Sequence, residues 1–164
     1  MQFREYPVNF IELKIPIRPC EAIGSGWVEK MEENENTAVP TILIVEDQLD
    51  VRRLLELVFR TRGYRLLGAE SGEEAVDMVR RHVPDVILLD IMLPGKIDGY
   101  EVARILKAEP ATAGCAIIVM TAKIQKKDRD EAFAAGADDF IGKPFNMGEL
   151  SRKVERFLAG KGRG

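Results

Sequence analysis

The sequence predicts an α/β domain in which helices cover both faces of a parallel β-sheet. Short apolar runs recur at residues 42–45, 86–89 and 117–120, and they are continuous rather than alternating. Such runs are typical of strands that are buried on both faces. Between them lie stretches whose apolar residues have helical spacing, as at residues 51–58. The alternation continues over residues 40–159, which favours a doubly wound fold.

The predicted elements alternate strictly along the chain. The strands are expected at 41–45, 65–69, 85–89, 116–120 and 138–141. The helices are expected at 49–62, 72–82, 98–108, 123–135 and 147–159. Ser71 is predicted to cap the second helix, with Glu74 at the capping-box position. Gly63 and Gly136 are predicted to end the first and fourth helices.

The composition argues against several classes of protein. A net charge of −3 over 164 residues is too balanced for nucleic-acid binding by bulk electrostatics. Two cysteines, Cys20 and Cys115, and the single His82 cannot form a disulfide framework, a four-ligand zinc site or a Ser/His/Asp triad. No apolar run is long enough to span a membrane, and the N-terminus shows no secretory signal. We therefore expect a cytoplasmic protein that contacts neither nucleic acid nor membrane.

Both ends of the chain differ from the predicted domain at 39–160. Residues 1–38 carry four basic and seven acidic side chains and end in a polar, acidic linker. Within them, residues 11–17 alternate with a period of two, which indicates one strand. That strand could pair with a sheet edge, pair with its twin in a homodimer or stay disordered, and the natural start could equally be Met31. Residues 161–164 are expected to be a flexible tail, and with no output domain after it the chain is interpreted as a stand-alone unit, monomeric or dimeric.

Polar residues mark the carboxyl ends of four predicted strands, where ligands bind in doubly wound folds. They are Glu46, Asp47, Asp90, Thr121 and Lys143. Taken singly, Asp47 fits a helix N-cap, Thr121 a turn hydroxyl and Lys143 a solvated lysine. Together, at four separate strand ends, they favour a functional site.

The chemistry of such a site follows from its charge. Carboxylates within about 5 Å of one another cost about 3 kcal/mol per pair at an effective dielectric of about 20. The group must therefore take up protons or bind cations, of which Lys143 supplies one. Oxygen donors without His or Cys favour Mg²⁺, with Mn²⁺ as a substitute. Asp90 is the candidate nucleophile, because an aspartate can form an acyl phosphate while Thr121 and Lys143 neutralise phosphoryl oxygens.

Residues 40–159 resemble the receiver domain of bacterial two-component response regulators. The motifs that carry the resemblance are ILIVEDQ at 42–48, PDVILLDIMLPG at 84–95, DGYE at 98–101, MTA at 120–122 and GADDFIGKPF at 136–145. Their order and spacing make the resemblance highly specific. It implies a flavodoxin-like five-stranded parallel sheet with strand order 2-1-3-4-5.

The resemblance also implies a role for each site residue. Asp90 would accept a phosphoryl group from a histidine kinase or a phosphotransfer protein. Asp47, Asp90 and the backbone carbonyl of Met92 would bind Mg²⁺, with Glu46 acting through water. Thr121 and Lys143 would hold phosphoryl oxygens. The chain would catalyse only its own phosphorylation and dephosphorylation.

The resemblance further implies how the signal leaves the site. Phe140 takes the place of the switch aromatic, which turns inward when Thr121 moves toward the phosphate. The Lys143–Pro144 bond is expected to be cis. The face formed by the fourth helix, fifth strand and fifth helix would then bind an unknown protein target. The basic residues at the start of the fourth helix would serve docking or be merely solvated; they are Lys123, Lys126, Lys127 and Arg129.

One departure from the family pattern lies beside Asp90. The segment from Asp90 to Asp98 is one residue longer than the commonest spacing, which could alter the lifetime of an acyl phosphate. Two other functions stay open. A receiver-like scaffold could bind its partner without phosphorylation, and a Mg²⁺-dependent phosphatase would share the acidic strand ends. The phosphatase is less favoured because no glycine-rich phosphate loop follows the first strand.

Overall fold

The computed structural model describes residues 39–122 and 125–161, within which five strands alternate with five helices. The strands are β1 (Thr41–Val45), β2 (Arg65–Ala69), β3 (Val86–Asp90), β4 (Ala116–Thr121) and β5 (Asp139–Gly142). The helices are α1 (Leu49–Arg60), α2 (Gly72–His82), α3 (Gly99–Ala108), α4 (Lys126–Ala134) and α5 (Met147–Lys161). The predictions for residues 1–38, for Lys123 and for residues 162–164 lie outside the described residues.

The strands form one parallel sheet in the order β2-β1-β3-β4-β5, which confirms the predicted fold class. Successive side chains of each strand enter opposite cores. In β1, Leu43 and Val45 pack with residues of α2, α3 and α4, whereas Ile42 and Ile44 pack with residues of α1 and α5. Two covered faces explain why the strand sequences are continuously apolar.

Several element boundaries differ from the prediction by a few residues. Helix α1 stops at Arg60 rather than residue 62, because the chain tightens through hydrogen bonds from Arg62 N to Phe59 O and from Gly63 N to Arg60 O. Gly63 and Gly136 both have positive φ, as a helix-ending glycine requires. Helix α5 continues to Lys161, so the tail predicted to begin there starts inside a helix.

Helix α4 begins at Lys126, three residues later than predicted. Its start is fixed by Asp128, whose carboxylate accepts a hydrogen bond of 3.1 Å from Gln125 N. Asp128 and Ala132 are the only residues of α4 that are buried. The other residues of α4 are exposed, so the helix is only shallowly buried against the sheet.

Only one of the two hydrogen bonds of the predicted capping box is present at the start of α2. Ser71 Oγ accepts a hydrogen bond of 3.3 Å from Glu74 N. Glu74 Oε2, however, accepts from Glu70 N at 2.8 Å, so Glu74 ties down the preceding loop residue. Among the described helices, none is long and apolar enough to cross a bilayer.

A close backbone contact joins the end of β3 to the start of α3. Asp98 caps α3 by accepting from Glu101 N at 2.9 Å, and Gly99 N donates to Ile91 O at 3.1 Å. A Cβ atom at Gly99 would lie 2.2 Å from the carbonyl oxygen of Asp90 and 2.8 Å from Ile91 Cα. Only glycine fits this position without moving the strand end that carries Asp90.

We expect Gly99→Ala to lower the free energy of unfolding by about 3 kcal/mol, because the obstructing atoms are backbone and cannot rotate away. The matched control is Gly114→Ala, whose Cβ would have no neighbour within 4 Å. Urea denaturation of both variants measures the difference. Equal stability of the two variants would contradict the packing described here.

Candidate functional site

The predicted site residues meet at the carboxyl edge of the sheet. Glu46 directly follows β1 and Lys143 directly follows β5. Asp90 and Thr121 were expected just beyond their strands, but they are the last residues of β3 and β4. Ladder pairing of Asp90 with Met120 therefore holds the Asp90 backbone rigidly within the sheet.

Lys143 is the centre of the site. Its Nζ lies 2.6 Å from Glu46 Oε2 and 2.7 Å from Asp90 Oδ2. Glu46 is completely buried and Asp90 is 3% exposed. Both carboxylates would be costly to bury alone, and the shared ammonium group compensates them.

Asp47 brings a third carboxylate to the same place. One carboxyl oxygen from each of Glu46, Asp47 and Asp90 lies within 4.8 Å of the others, as expected from their positions at strand ends. Asp47 is exposed, whereas the other two are buried, so the cluster is open to solvent on one side. Three carboxylates gather around one ammonium group, and this excess of negative charge could hold a metal ion.

The donor set fits a hard divalent ion such as Mg²⁺. In the described part of the chain, the cluster holds carboxylate oxygens and no His or Cys ligand. Met92 is placed beside it, because Met92 N donates to Asp90 Oδ1 at 3.1 Å. The structure thus keeps the Met92 backbone next to the Asp90 side chain.

Burial and charge shift the titration of the two groups that face each other most closely. Burial raises the pKa of Glu46 above 4.5, and the neighbouring Asp90 charge raises it further against the opposing effect of Lys143. For Lys143, burial acts to lower the pKa, but hydrogen bonds to Asp90 and Glu46 outweigh it. The pKa of Lys143 is therefore raised, and its ammonium stays charged at neutral pH.

Arg52 is a site-supporting residue that the sequence did not reveal. Its Nη1 donates to the backbone carbonyl of Glu46 at 2.8 Å, and its Nη2 donates to Glu70 Oε1 at 2.5 Å. Its side chain is only 11% exposed, because it lies along α1 over Gly68. Arg52 thereby fixes the turn that carries Glu46 and Asp47, and only the missing side chain at residue 68 hinted at the space it fills.

Phe140 lies half-buried on β5, next to the core on the α4 side of the sheet. The Arg129 guanidinium carbon is 4.6 Å from its ring centroid and Lys153 Nζ is 6.0 Å away. Phe133 meets it edge to face at 6.0 Å. The ring is therefore contacted by cations from both α4 and α5.

The β4 and β5 ends are joined directly. Lys143 N donates to Thr121 O at 2.6 Å, and the Lys143–Pro144 peptide bond is cis, the isomer that the resemblance implies. Thr121 is 3% exposed. The backbone of Thr121 is thus bonded directly to the residue that holds Glu46 and Asp90.

Comparison with known proteins agrees with this fold and this arrangement. Residues 42–155 match the response regulator receiver domain family. The chain therefore belongs to that family, whose members are phosphoacceptor signalling domains of two-component systems.

Individual relatives support the same assignment. The phosphate regulon transcriptional regulatory protein PhoB of Pseudomonas aeruginosa is 39% identical over 124 residues, which are 76% of this chain and 54% of that protein. The receiver domain of a Syntrophus aciditrophicus signal transduction histidine kinase is 33% identical, with a TM-score of 0.72 and coverage of 77% of this chain and 95% of that one.

A third relative bears on the metal. The receiver domain of a Pseudomonas aeruginosa sensor histidine kinase, solved with a magnesium ion coordinated in its active-site cleft, is 34% identical. Its TM-score is 0.68, and the match covers 74% of this chain and 99% of that one. The chain spans about half the length of the curated relatives it matches.

We expect Lys143→Met to lower the free energy of unfolding at neutral pH by about 3 kcal/mol, because two buried carboxylates lose their shared cation. The exposed Lys127→Met is the control. The loss should shrink toward about pH 5, because the variant lacks the Lys143 hydrogen bond that lowers the pKa of Glu46, and its buried Glu46 therefore takes up a proton at a higher pH than in the wild type. Urea titrations at both pH values test this, and a loss that does not depend on pH would contradict it.

Proposed function

We propose that Asp90 is the phosphoacceptor of a response regulator and receives its phosphoryl group from a histidine kinase or a phosphotransfer protein. The observation that carries the proposal is the placement of Asp90, which lies buried at a strand end, bonded to Lys143 and clustered with Glu46 and Asp47. A carboxylate held in this way has one oxygen occupied by Lys143 and is fixed for attack.

In the proposed transfer, an Asp90 carboxylate oxygen forms a bond to phosphorus while the phosphorus–nitrogen bond of the donor phosphohistidine breaks. Lys143 and the Thr121 hydroxyl would bind the phosphoryl oxygens as charge accumulates on them. Asp47, Asp90 and the Met92 backbone carbonyl would hold Mg²⁺ or its substitute Mn²⁺, with Glu46 acting through water. When bound, the ion supplies positive charge to the phosphoryl oxygens.

The proposed output is a change at the surface formed by α4, β5 and α5. The phosphoryl group adds about two negative charges, which Thr121 and Lys143 bind better than they bind the bare carboxylate. Thr121 would then move toward the phosphate and Phe140 would turn inward. The shallow packing of α4 on the sheet supports its being the element that responds.

The partners follow from this output. A protein target would bind the altered surface, and the exposed basic residues Lys126, Lys127 and Arg129 stand at its edge, either to dock that target or simply as a solvated face. We propose a cytoplasmic protein that acts by protein contact alone, without binding nucleic acid or membrane.

We expect the wild-type chain to gain one phosphoryl group when it is incubated with acetyl phosphate and Mg²⁺, and Asp90→Asn to gain none, because the nucleophilic oxygen is lost. Intact-mass spectrometry measures the gain. Asp77→Asn, which removes an exposed carboxylate from α2, is the matched control and should label normally. Equal labelling of Asp90→Asn and wild type would refute the assignment of the acceptor.

We expect Phe140 to respond to phosphoryl mimicry through Thr121. With fluorinated phenylalanine, the Phe140 resonance, assigned with Phe140→Leu, should shift when beryllofluoride and Mg²⁺ are added. In Thr121→Val the shift should be lost while phosphoryl labelling persists, because the hydroxyl that transmits the change is missing. A target that binds treated and untreated protein equally would favour the scaffold alternative.

A further inference from the structure

Hydrogen bonds hold the loop between β3 and α3 along its length. Near its start, Met92 N donates to Asp90 Oδ1 at 3.1 Å. At its end, Gly99 N donates to Ile91 O at 3.1 Å. Between them, Lys96 N donates to Glu73 Oε1 at 2.7 Å. The third attachment comes from α2, an element that supplies no residue to the site itself.

The contact with α2 is built into the shape of the loop. Gly95 has a φ of +113°, and a Cβ there would lie 2.5 Å from Glu73 Oε2. Ile97 packs on the core, and a Cβ at Gly72 would lie 2.6 Å from Ile97 O. Two glycines, one in the loop and one in α2, thus let the loop approach Glu73 closely.

The carboxylate of Glu73 is charged when it accepts the hydrogen bond from the loop. The hydrogen bond from the Lys96 amide is the main cause that holds the pKa of Glu73 below 4.5. The side chain is therefore a carboxylate at neutral pH, and it can accept from the loop amide without competing as a donor.

We propose that Glu73 is a positioning residue for the metal site, which it serves by holding the extended β3–α3 loop so that the Met92 carbonyl stays in place. The inference rests on the proposed function, in which that carbonyl is a metal ligand. Three residues separate Met92 from Lys96, and Pro94 among them restricts the chain further. Releasing Lys96 lengthens the loop segment that can move freely, and the Met92 backbone moves with it.

The test measures Mg²⁺ affinity directly, by isothermal titration calorimetry on the full chain. Glu73→Ala should bind the ion about five-fold more weakly, as expected when a group supporting a ligand is lost. Glu73→Gln keeps an acceptor oxygen and should stay close to wild type. Labelling of Asp90 by acetyl phosphate should be slow in Glu73→Ala at low Mg²⁺ and return to the wild-type rate at saturating Mg²⁺.

Glu74→Ala is the matched control. It removes the same charge from the same helical turn, and it also removes an acceptor for a loop amide, but that amide belongs to Glu70 in another loop. It should leave Mg²⁺ affinity unchanged. If Glu74→Ala weakens binding as much as Glu73→Ala, or if Glu73→Gln is as weak as Glu73→Ala, the effect is one of charge and the proposal is overturned.

Gly95→Ala tests the same contact from the side of the loop. Its Cβ would displace the Glu73 carboxylate and would also strain the loop at a φ of +113°. It should therefore weaken Mg²⁺ binding in the wild type and weaken it less when combined with Glu73→Ala, where the part that acts through Glu73 is already lost. Independent, multiplying effects would overturn the proposal. A wild-type chain that binds no Mg²⁺ would overturn the proposed function as well. If the wild type binds the ion and labels at Asp90, and the Glu73→Ala variant matches it in both, only the role of Glu73 is overturned.

Discussion

The ammonium group of Lys143 bridges two carboxylates that reach it from distant parts of the chain. Glu46 follows β1 and Asp90 ends β3, and both are buried with their charge compensated mainly by Lys143. The bridge requires parallel strands, because only then do the carboxyl ends of β1, β3 and β5 lie at one edge of the sheet. Fold and site are therefore coupled: the topology gathers the charges, and the charges are tolerable only in this topology.

The sheet was predicted well from the sequence. Every strand contributes to a core on each face of the sheet, and the apolar composition of the strands shows this burial directly. The sequence also predicted the gathering of Glu46, Asp47, Asp90, Thr121 and Lys143, since the ends of parallel strands share an edge. Boundaries were less accurate. The start of α4 depends on the capping hydrogen bonds between Asp128 and Gln125, which periodicity does not encode.

Residues that support the site from outside it could not be predicted in the same way. Arg52 reaches Glu46 O across one turn of chain, and Glu73 reaches Lys96 N because Gly72 and Gly95 allow two backbones to approach. The first contact joins residues six apart and the second joins residues 23 apart, and neither follows from a repeating sequence pattern. A single sequence shows the glycines but not what fills the space beside them.

Helix α4 is packed less deeply than the other elements, so one part of the domain is held more loosely than the rest. The strands and the other helices interlock through large apolar side chains, while α4 buries only Ala132 and Asp128 and otherwise meets the sheet through exposed Phe133 and Arg129 at the Phe140 ring. Little apolar area separates its attached and detached states, so its amide protons should exchange with solvent well before those of β1, β3 or β4. The tightly packed sheet and helices thus carry one loosely packed helix, α4, which can rearrange while the rest of the domain stays folded.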